Sequence, residues 1–171
     1  ICALSRTTSP PGTCNMTPFP SPLSELQALQ TTSLVFMVRP VAFGFNEQTA
    51  ESNAFQHSES QESQESIQQR AQQEFDVFVD LLRGKGIEVV VFEDSVTPHT
   101  PDSIFPNNWI SFHTNGKIIL YPILANNRRL ERRWDIVDHF KTRYSTPEII
   151  DFSHYENTEQ FLEGTGSMII D

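Results

Sequence analysis

The stretch Pro98-His99-Thr100-Pro101-Asp102-Ser103-Ile104-Phe105-Pro106-Asn107-Asn108-Trp109 decides how this sequence is read. It sets three prolines, one acid and two adjacent asparagines between apolar runs of β type. Proline locks its own φ and biases the residue before it away from helix. Thr97, Thr100 and Phe105 are therefore expected to be extended, and the segment to be a stiff, non-helical loop. Such a loop at the end of a sheet holds polar side chains still, which makes Asp102, Asn107 and Asn108 candidate ligand-binding residues. Local chemistry alone leaves a second reading open, a connector whose Asp and Asn residues only form turns.

A second segment favours the first reading. In Phe161-Leu162-Glu163-Gly164-Thr165-Gly166-Ser167-Met168-Ile169-Ile170-Asp171 an acid directly precedes Gly-Thr-Gly and an apolar, strand-like run. The glycines permit positive φ or a close backbone approach, so Glu163 is expected at a tight turn. A phosphate loop is excluded, because there is neither a Gly-Lys-Ser/Thr ending nor a GxGxxG pattern.

Around these segments strands and helices alternate. Ser33 to Val38 reads as a buried strand ended by Arg39-Pro40. Phe43 to Gln56 has no clear period and reads as a loop, and Ser58 to Gln73, rich in Ser, Glu and Gln, as a solvated loop running into a helix. Ile67, Ala71, Phe75, Phe78, Val79 and Leu82 recur at helical spacing, which predicts a helix from about Ser66 to Arg83, stopped by Gly84 and Gly86. Ile87 to Phe92 is expected to be a strand buried on both faces. Thr114-Asn115-Gly116 between two strand-like runs predicts a hairpin. A helix is expected from Arg128 to Thr142, a strand from Glu148 to Phe152, a helical turn at Thr158 to Phe161, and a last strand after the glycines.

Composition narrows the function classes. With 37% hydrophobic residues and 13 Phe the chain of 171 residues can build a core. Its net charge of −10 excludes a nucleic-acid surface, which needs clustered Lys and Arg. The only cysteines, Cys2 and Cys14, lie outside any expected core, and no histidine pair has metal-ligand spacing. Neither a disulfide framework nor a metal site is supported, and no metal or other cofactor is expected. No run reaches the roughly 18 apolar residues of a membrane span, so a soluble, cytoplasmic protein without a membrane partner is expected. Residues 1–31, rich in Pro, Ser and Thr with one base, Arg6, and no acid before Glu25, read as a disordered tail. A translated leader upstream of Met16 explains that tail more simply than a transit peptide, which is Arg-rich and amphipathic.

Four motifs in order carry a resemblance: Val38-Arg39-Pro40 with Phe43-Gly44-Phe45-Asn46; Asp102 to Trp109; Asn127-Arg128-Arg129-Leu130-Glu131-Arg132-Arg133; and Phe161 to Gly166. The chain resembles the guanidine- and ureido-modifying enzymes of the pentein fold, which include dimethylarginine hydrolases, arginine deiminases and amidinotransferases. The closest likeness is to bacterial citrulline utilization hydrolases. The resemblance implies an α/β fold, an αβ-propeller of ββαβ-type modules in pseudo-fivefold arrangement. Residues 32–171 would be the N-terminal part of such a domain, the C-terminal part lying beyond Asp171.

The family attacks the central carbon of a guanidinium or ureido group with a cysteine thiolate, using a histidine as general acid and base and carboxylates to hold the planar group. The resemblance implies that Glu163 is the acid orienting the reacting group, in a turn lacking the family's final acid, and that Asp102 contacts the amino-acid end of the substrate. Asn108 stands where relatives hold the guanidinium with an acid, preceded by Asn107. Arg129, with Arg128 as the neighbouring possibility, matches an arginine that clamps the α-carboxylate; the plainer reading of both is a solvated helix face, and for Arg128 that reading is preferred. None of the five histidines fits the catalytic role, so the histidine and cysteine of the reaction are expected beyond Asp171. An Asn amide both donates and accepts, as a neutral ureido group requires. Hydrolysis of citrulline to ornithine is therefore the first expectation, with a small-molecule amino-acid substrate and room for a homo-oligomer. Hydrolysis of arginine or dimethylarginine, amidino transfer, and a non-catalytic binding module are the alternatives.

Overall fold

A computed structural model describes residues 2–4, 32–50, 63–144 and 147–168. Its centre is strand β2 (Leu34–Arg39), an uninterrupted apolar run up to its final arginine. β2 pairs antiparallel with β1 (Cys2–Leu4) and parallel with β3 (Glu88–Glu93), the latter in register from Leu34↔Glu88 to Arg39↔Glu93. Parallel strands need a long crossover, and here it contains helix α2 (Gln64–Gly84). Ser63 caps α2 by accepting from Ser66 N. At the other end Lys85 N donates to Leu81 O and Leu82 O, and Gly86 takes φ 81°. A Cβ on Gly86 would meet open space, so the left-handed backbone is what calls for glycine there.

The same pattern recurs downstream. β4 (Ile110–Phe112) and β5 (Lys117–Leu120) form the hairpin predicted from Asn115-Gly116, with Gly116 at φ 80°. β5 then runs parallel to β6 (Glu148–Asp151). Between them lies helix α4 (Trp134–Arg143), preceded by the short α3 (Asn126–Arg129). Each sheet thus has a central strand with one antiparallel and one parallel neighbour and a helix in the parallel crossover, the expected ββαβ unit.

Side chains alternate across a strand, and β2 uses both faces. Leu34, Phe36 and Val38 pack with Trp109, Ile110, Ile118, Leu120 and the α4 residues Ile136, Val137 and Phe140. Val35 and Met37 pack with Phe75 and Val79 of α2 and with Val89. Phe140 is the hub of the first cluster, with ring centroids 4.9 Å from Phe112, 5.3 Å from Phe36 and 6.0 Å from Phe92. Burying a side chain of this size is worth about 2–3 kcal/mol.

Several elements depart from expectation. β3 is only half-buried, because it closes its sheet and double burial falls to β2. The helix expected over Arg128 to Thr142 is two helices, broken at 130–133, where Arg133 is extended (φ −109°, ψ 112°). The break lets α4 aim Ile136, Val137 and Phe140 at the core while Arg128 and Glu131 reach polar partners elsewhere. The stretch expected to be a loop from Phe43 contains helix α1 (Glu47–Ala50), and residues 51–62 lie outside the described residues. The helical turn expected at Thr158 to Phe161 comes earlier, as a 3-10 turn over Ser153–Thr158. After the first glycine comes a helical turn, α5 (Gly164–Ser167), and the strand expected at its end runs outside the described residues. Of the tail expected to be disordered over 1–31, only Cys2–Leu4 is described, and it is a strand. No helix among the described residues is long and apolar enough to cross a membrane.

Candidate active site

The proline-rich segment is not uniformly extended. It turns at Thr100 to Phe105, with Ser103 N donating to Thr100 O and Phe105 N to Asp102 O, then enters a 3-10 turn over Pro106–Asn108. Pro106 opens that turn, where a missing N–H costs nothing. The result buries Asp102 to 5% exposure and leaves Asn107 and Asn108 half-buried. Asp102 Oδ2 accepts from Asn46 Nδ2 at 2.6 Å and from Thr49 Oγ1 at 3.4 Å.

Glu163 lies directly against this segment. The α5 turn packs on the 3-10 turn so closely that a Cβ on Gly164 would run into the carbonyl oxygen of Asn107, and one on Gly166 would stand 2.9 Å from Asn108 Nδ2. Gly164 also takes φ 40°, so it answers both to backbone conformation and to close approach. Glu163 Oε2 accepts from Asn108 Nδ2 at 3.2 Å, and Oε1 from Leu124 N at 3.1 Å. Asn108 Oδ1 in turn accepts from Asn107 Nδ2 at 3.1 Å.

The arginine that joins these groups is Arg128. Far from lying on a solvated face, it is 6% exposed. Its Nε and Nη2 donate to the two oxygens of Glu131 at 3.0 and 3.1 Å. Nε is also 3.7 Å from Asp102 Oδ2, and Nη1 is 3.6 Å from Glu163 Oε2. Asp102 and Glu163 are thus linked through one guanidinium. Arg129, expected to be the carboxylate clamp, points elsewhere. Its Nε donates to Ile123 O at 2.8 Å, its Nη2 to Leu124 O at 3.1 Å, and it sits over the Phe161 ring and beside Glu156. Those donors tie down the backbone that presents Leu124 N to Glu163.

Burial works against the charge on Arg128, but Glu131, Asp102 and Glu163 outweigh it and raise its pKa further. Glu131 is pushed up to about 7, first by burial and then by the neighbouring charges of Asp102 and Asp94, with Arg128 only partly offsetting them. Among the described residues Asp102 and Glu163, joined by Glu131 once it ionises above about pH 7, share one arginine, and this centre has an excess of negative charge. Among the described residues no group of three His, Cys, Asp or Glu is placed to hold a metal ion.

Two further residues complete the site. Asn46, 1% exposed, holds Asp102 and accepts from Asn127 Nδ2 at 2.7 Å and Gln48 N at 3.1 Å. A polar residue within the Phe-Gly-Phe-Asn motif was the signal for it. Glu131 was not singled out in the sequence, although its i, i+3 spacing from Arg128, which puts both on one face of a turn, could have marked it. Of the described histidines, His113 bonds Ser111 Oγ, His154 the Asp151 carbonyl, and His139 lies edge-on to Phe92 and Phe140. Beside the site, a cavity of about 430 Å³ is lined by residues including Met37, Phe43, Ile67, Phe75, Ile104 and Phe105.

Comparison with curated proteins returns no match. A family model described as N,N dimethylarginine dimethylhydrolase, eukaryotic, matches residues 39–171. That range takes in Asp102, Asn107, Asn108, Arg128, Glu131 and Glu163, and it bears out the resemblance to guanidine-modifying enzymes. The chain belongs to the N,N-dimethylarginine dimethylhydrolase family.

Proposed function

We propose that the protein hydrolyses the guanidino group of an arginine derivative of the dimethylarginine type. The observation that carries this reading is the convergence of Asp102, Glu131 and Glu163 on a single guanidinium, that of Arg128. A centre with more carboxylates than cations favours a second cation over a neutral ligand. A substrate guanidinium supplies that charge and forked N–H donors; a ureido group supplies neither the charge nor the same fork. The Asn108 amide already gives one of its two N–H donors to Glu163 and accepts one bond from Asn107. Family membership points the same way, and citrulline gives up its place as first choice.

In this reading Glu163 and Asn108 face the planar nitrogen-rich group, while Asp102 and Arg128, rather than Arg129, face the amino-acid end. In the net reaction water supplies the oxygen of the new ureido group, the bond from the guanidino carbon to the dimethylated nitrogen breaks, and that nitrogen leaves with both protons of the water as dimethylammonium, carrying away the positive charge of the guanidinium. The two ββαβ units support a wider inference, that they belong to a propeller of such units around a central cleft.

Calorimetric titration of the full chain with NG,NG-dimethylarginine and, separately, with citrulline tests the reading, together with an assay of dimethylamine and ammonia release. Binding at least ten times tighter for the cation is expected. Equal affinity, or a preference for citrulline, returns the ureido substrate to first place.

A further inference from the structure

We propose that Glu131 is a positioning residue of this site: its carboxylate grips one edge of the Arg128 guanidinium and so holds that guanidinium at ion-pair distance from Asp102 and Glu163, short of hydrogen-bond contact with either. A guanidinium has two forked edges, one formed by Nε and an Nη, the other by the two Nη nitrogens. Glu131 occupies the first, at 3.0 Å to Nε and 3.1 Å to Nη2. Asp102 and Glu163 stand off, at 3.7 Å from Nε and 3.6 Å from Nη1. The side chains of Arg128 and Glu131 are 7% and 1% exposed. Turning the guanidinium away would strand a buried carboxylate without a donor. Without the grip, Arg128 would close onto Glu163 or Asp102 and neutralise an acid that the substrate needs.

The charged groups around Glu131 are Arg128 from α3 and Asp102 and Asp94 from the segment after β3, with Glu163 facing Arg128 from the turn before α5. Among the described residues only Glu131 makes two hydrogen bonds to Arg128, so it wins the contest for that cation. The catalytic consequence rests on the function proposed above; the geometric one does not.

The experiment uses the full-length protein with Glu131→Gln and Glu131→Asp at about pH 8, where Glu131 is ionised, folding being checked by circular dichroism. Arginine Nε–H NMR reports the hold on Arg128, and kinetics with NG,NG-dimethylarginine report its effect. In the unaltered protein the Arg128 Nε–H signal is expected to be protected from exchange. Glu131→Gln should lose that protection and raise KM at least tenfold while changing kcat less than threefold. Glu131→Asp, which keeps the charge on a shorter arm, should fall between and carries the test if the Gln variant does not fold. An unchanged Arg128 signal, or an unchanged KM in a chain that turns over dimethylarginine, overturns the proposal. A chain that neither binds nor cleaves dimethylarginine, yet whose Arg128 signal still depends on Glu131, refutes the proposed function and leaves the positioning role standing.

Discussion

Asn108 and Glu163, 55 positions apart in sequence, meet directly, with Asn108 Nδ2 donating to Glu163 Oε2 at 3.2 Å. The bond joins the proline-rich segment to the glycine turn and uses one of the two N–H donors of the Asn108 amide.

Replacing Asn108 with Asp removes that donor and sets two carboxylates against each other. Loss of the bond and exposure of an unpaired acceptor should cost on the order of 1–3 kcal/mol in the free protein. A guanidinium lying between the two acids would relieve the repulsion. Asn108→Asp should therefore lower the melting temperature without ligand, and widen the stabilisation by dimethylarginine relative to that by citrulline. Thermal melts with each ligand measure both; an unchanged ligand ratio would show that Asn108 only braces the turn.

Gly164 and Gly86 both have positive φ, at 40° and 81°, but differ in their surroundings. At Gly86 an alanine meets open space, so the cost should be that of the left-handed backbone alone, about 1–2 kcal/mol. At Gly164 the new Cβ collides with the backbone oxygen of Asn107, which cannot rotate aside. Gly164→Ala should lose clearly more stability than Gly86→Ala in urea denaturation, and it alone should displace Glu163 and weaken ligand binding.

Asn46→Ala should leave the buried Asp102 carboxylate without its 2.6 Å donor. The expected loss is about 1–3 kcal/mol. Asn46→Asp should be worse, because it adds a second buried negative charge. Chemical denaturation of both variants checks the order, and a milder effect for Asp than for Ala would mean that Asn46 serves Asp102 by shape rather than as a donor.

Glu131 contributes an unusual pH dependence. Folded, it holds its proton up to about pH 7, against an ordinary value of 4.5. Between those values the folded chain binds more protons than the unfolded one, so stability from this group is full below pH 4.5 and is lost as pH rises to 7. The span corresponds to a loss on the order of 3 kcal/mol. Glu131→Gln has no such proton to lose. The stability of the unaltered protein minus that of the variant should decline from pH 4.5 to 7 and level off above. A flat difference would place the Glu131 carboxyl in its ordinary range.

Local rules made β2, α2, the β4–β5 hairpin and β6 legible in the sequence. An apolar run bounded by Arg-Pro, an apolar stripe at helical spacing, and Asn-Gly between strand-like runs act over a few residues and need no distant partner. The family was legible as well, since its motifs are short and ordered. The choice between Arg128 and Arg129 was not. Neighbours on a helix point roughly 100° apart, and which one faces the acids depends on where the helix breaks. That break follows from Ile136, Val137 and Phe140 packing against β2, β4 and β5, a contact between distant parts of the chain. The roles of Asn46 and Glu131, the half-burial of β3 and the seating of Gly164 on Asn107 have the same origin. A side chain's task depends on what folding brings against it, and at this site those partners come from segments as far apart as Asn46 and Glu163.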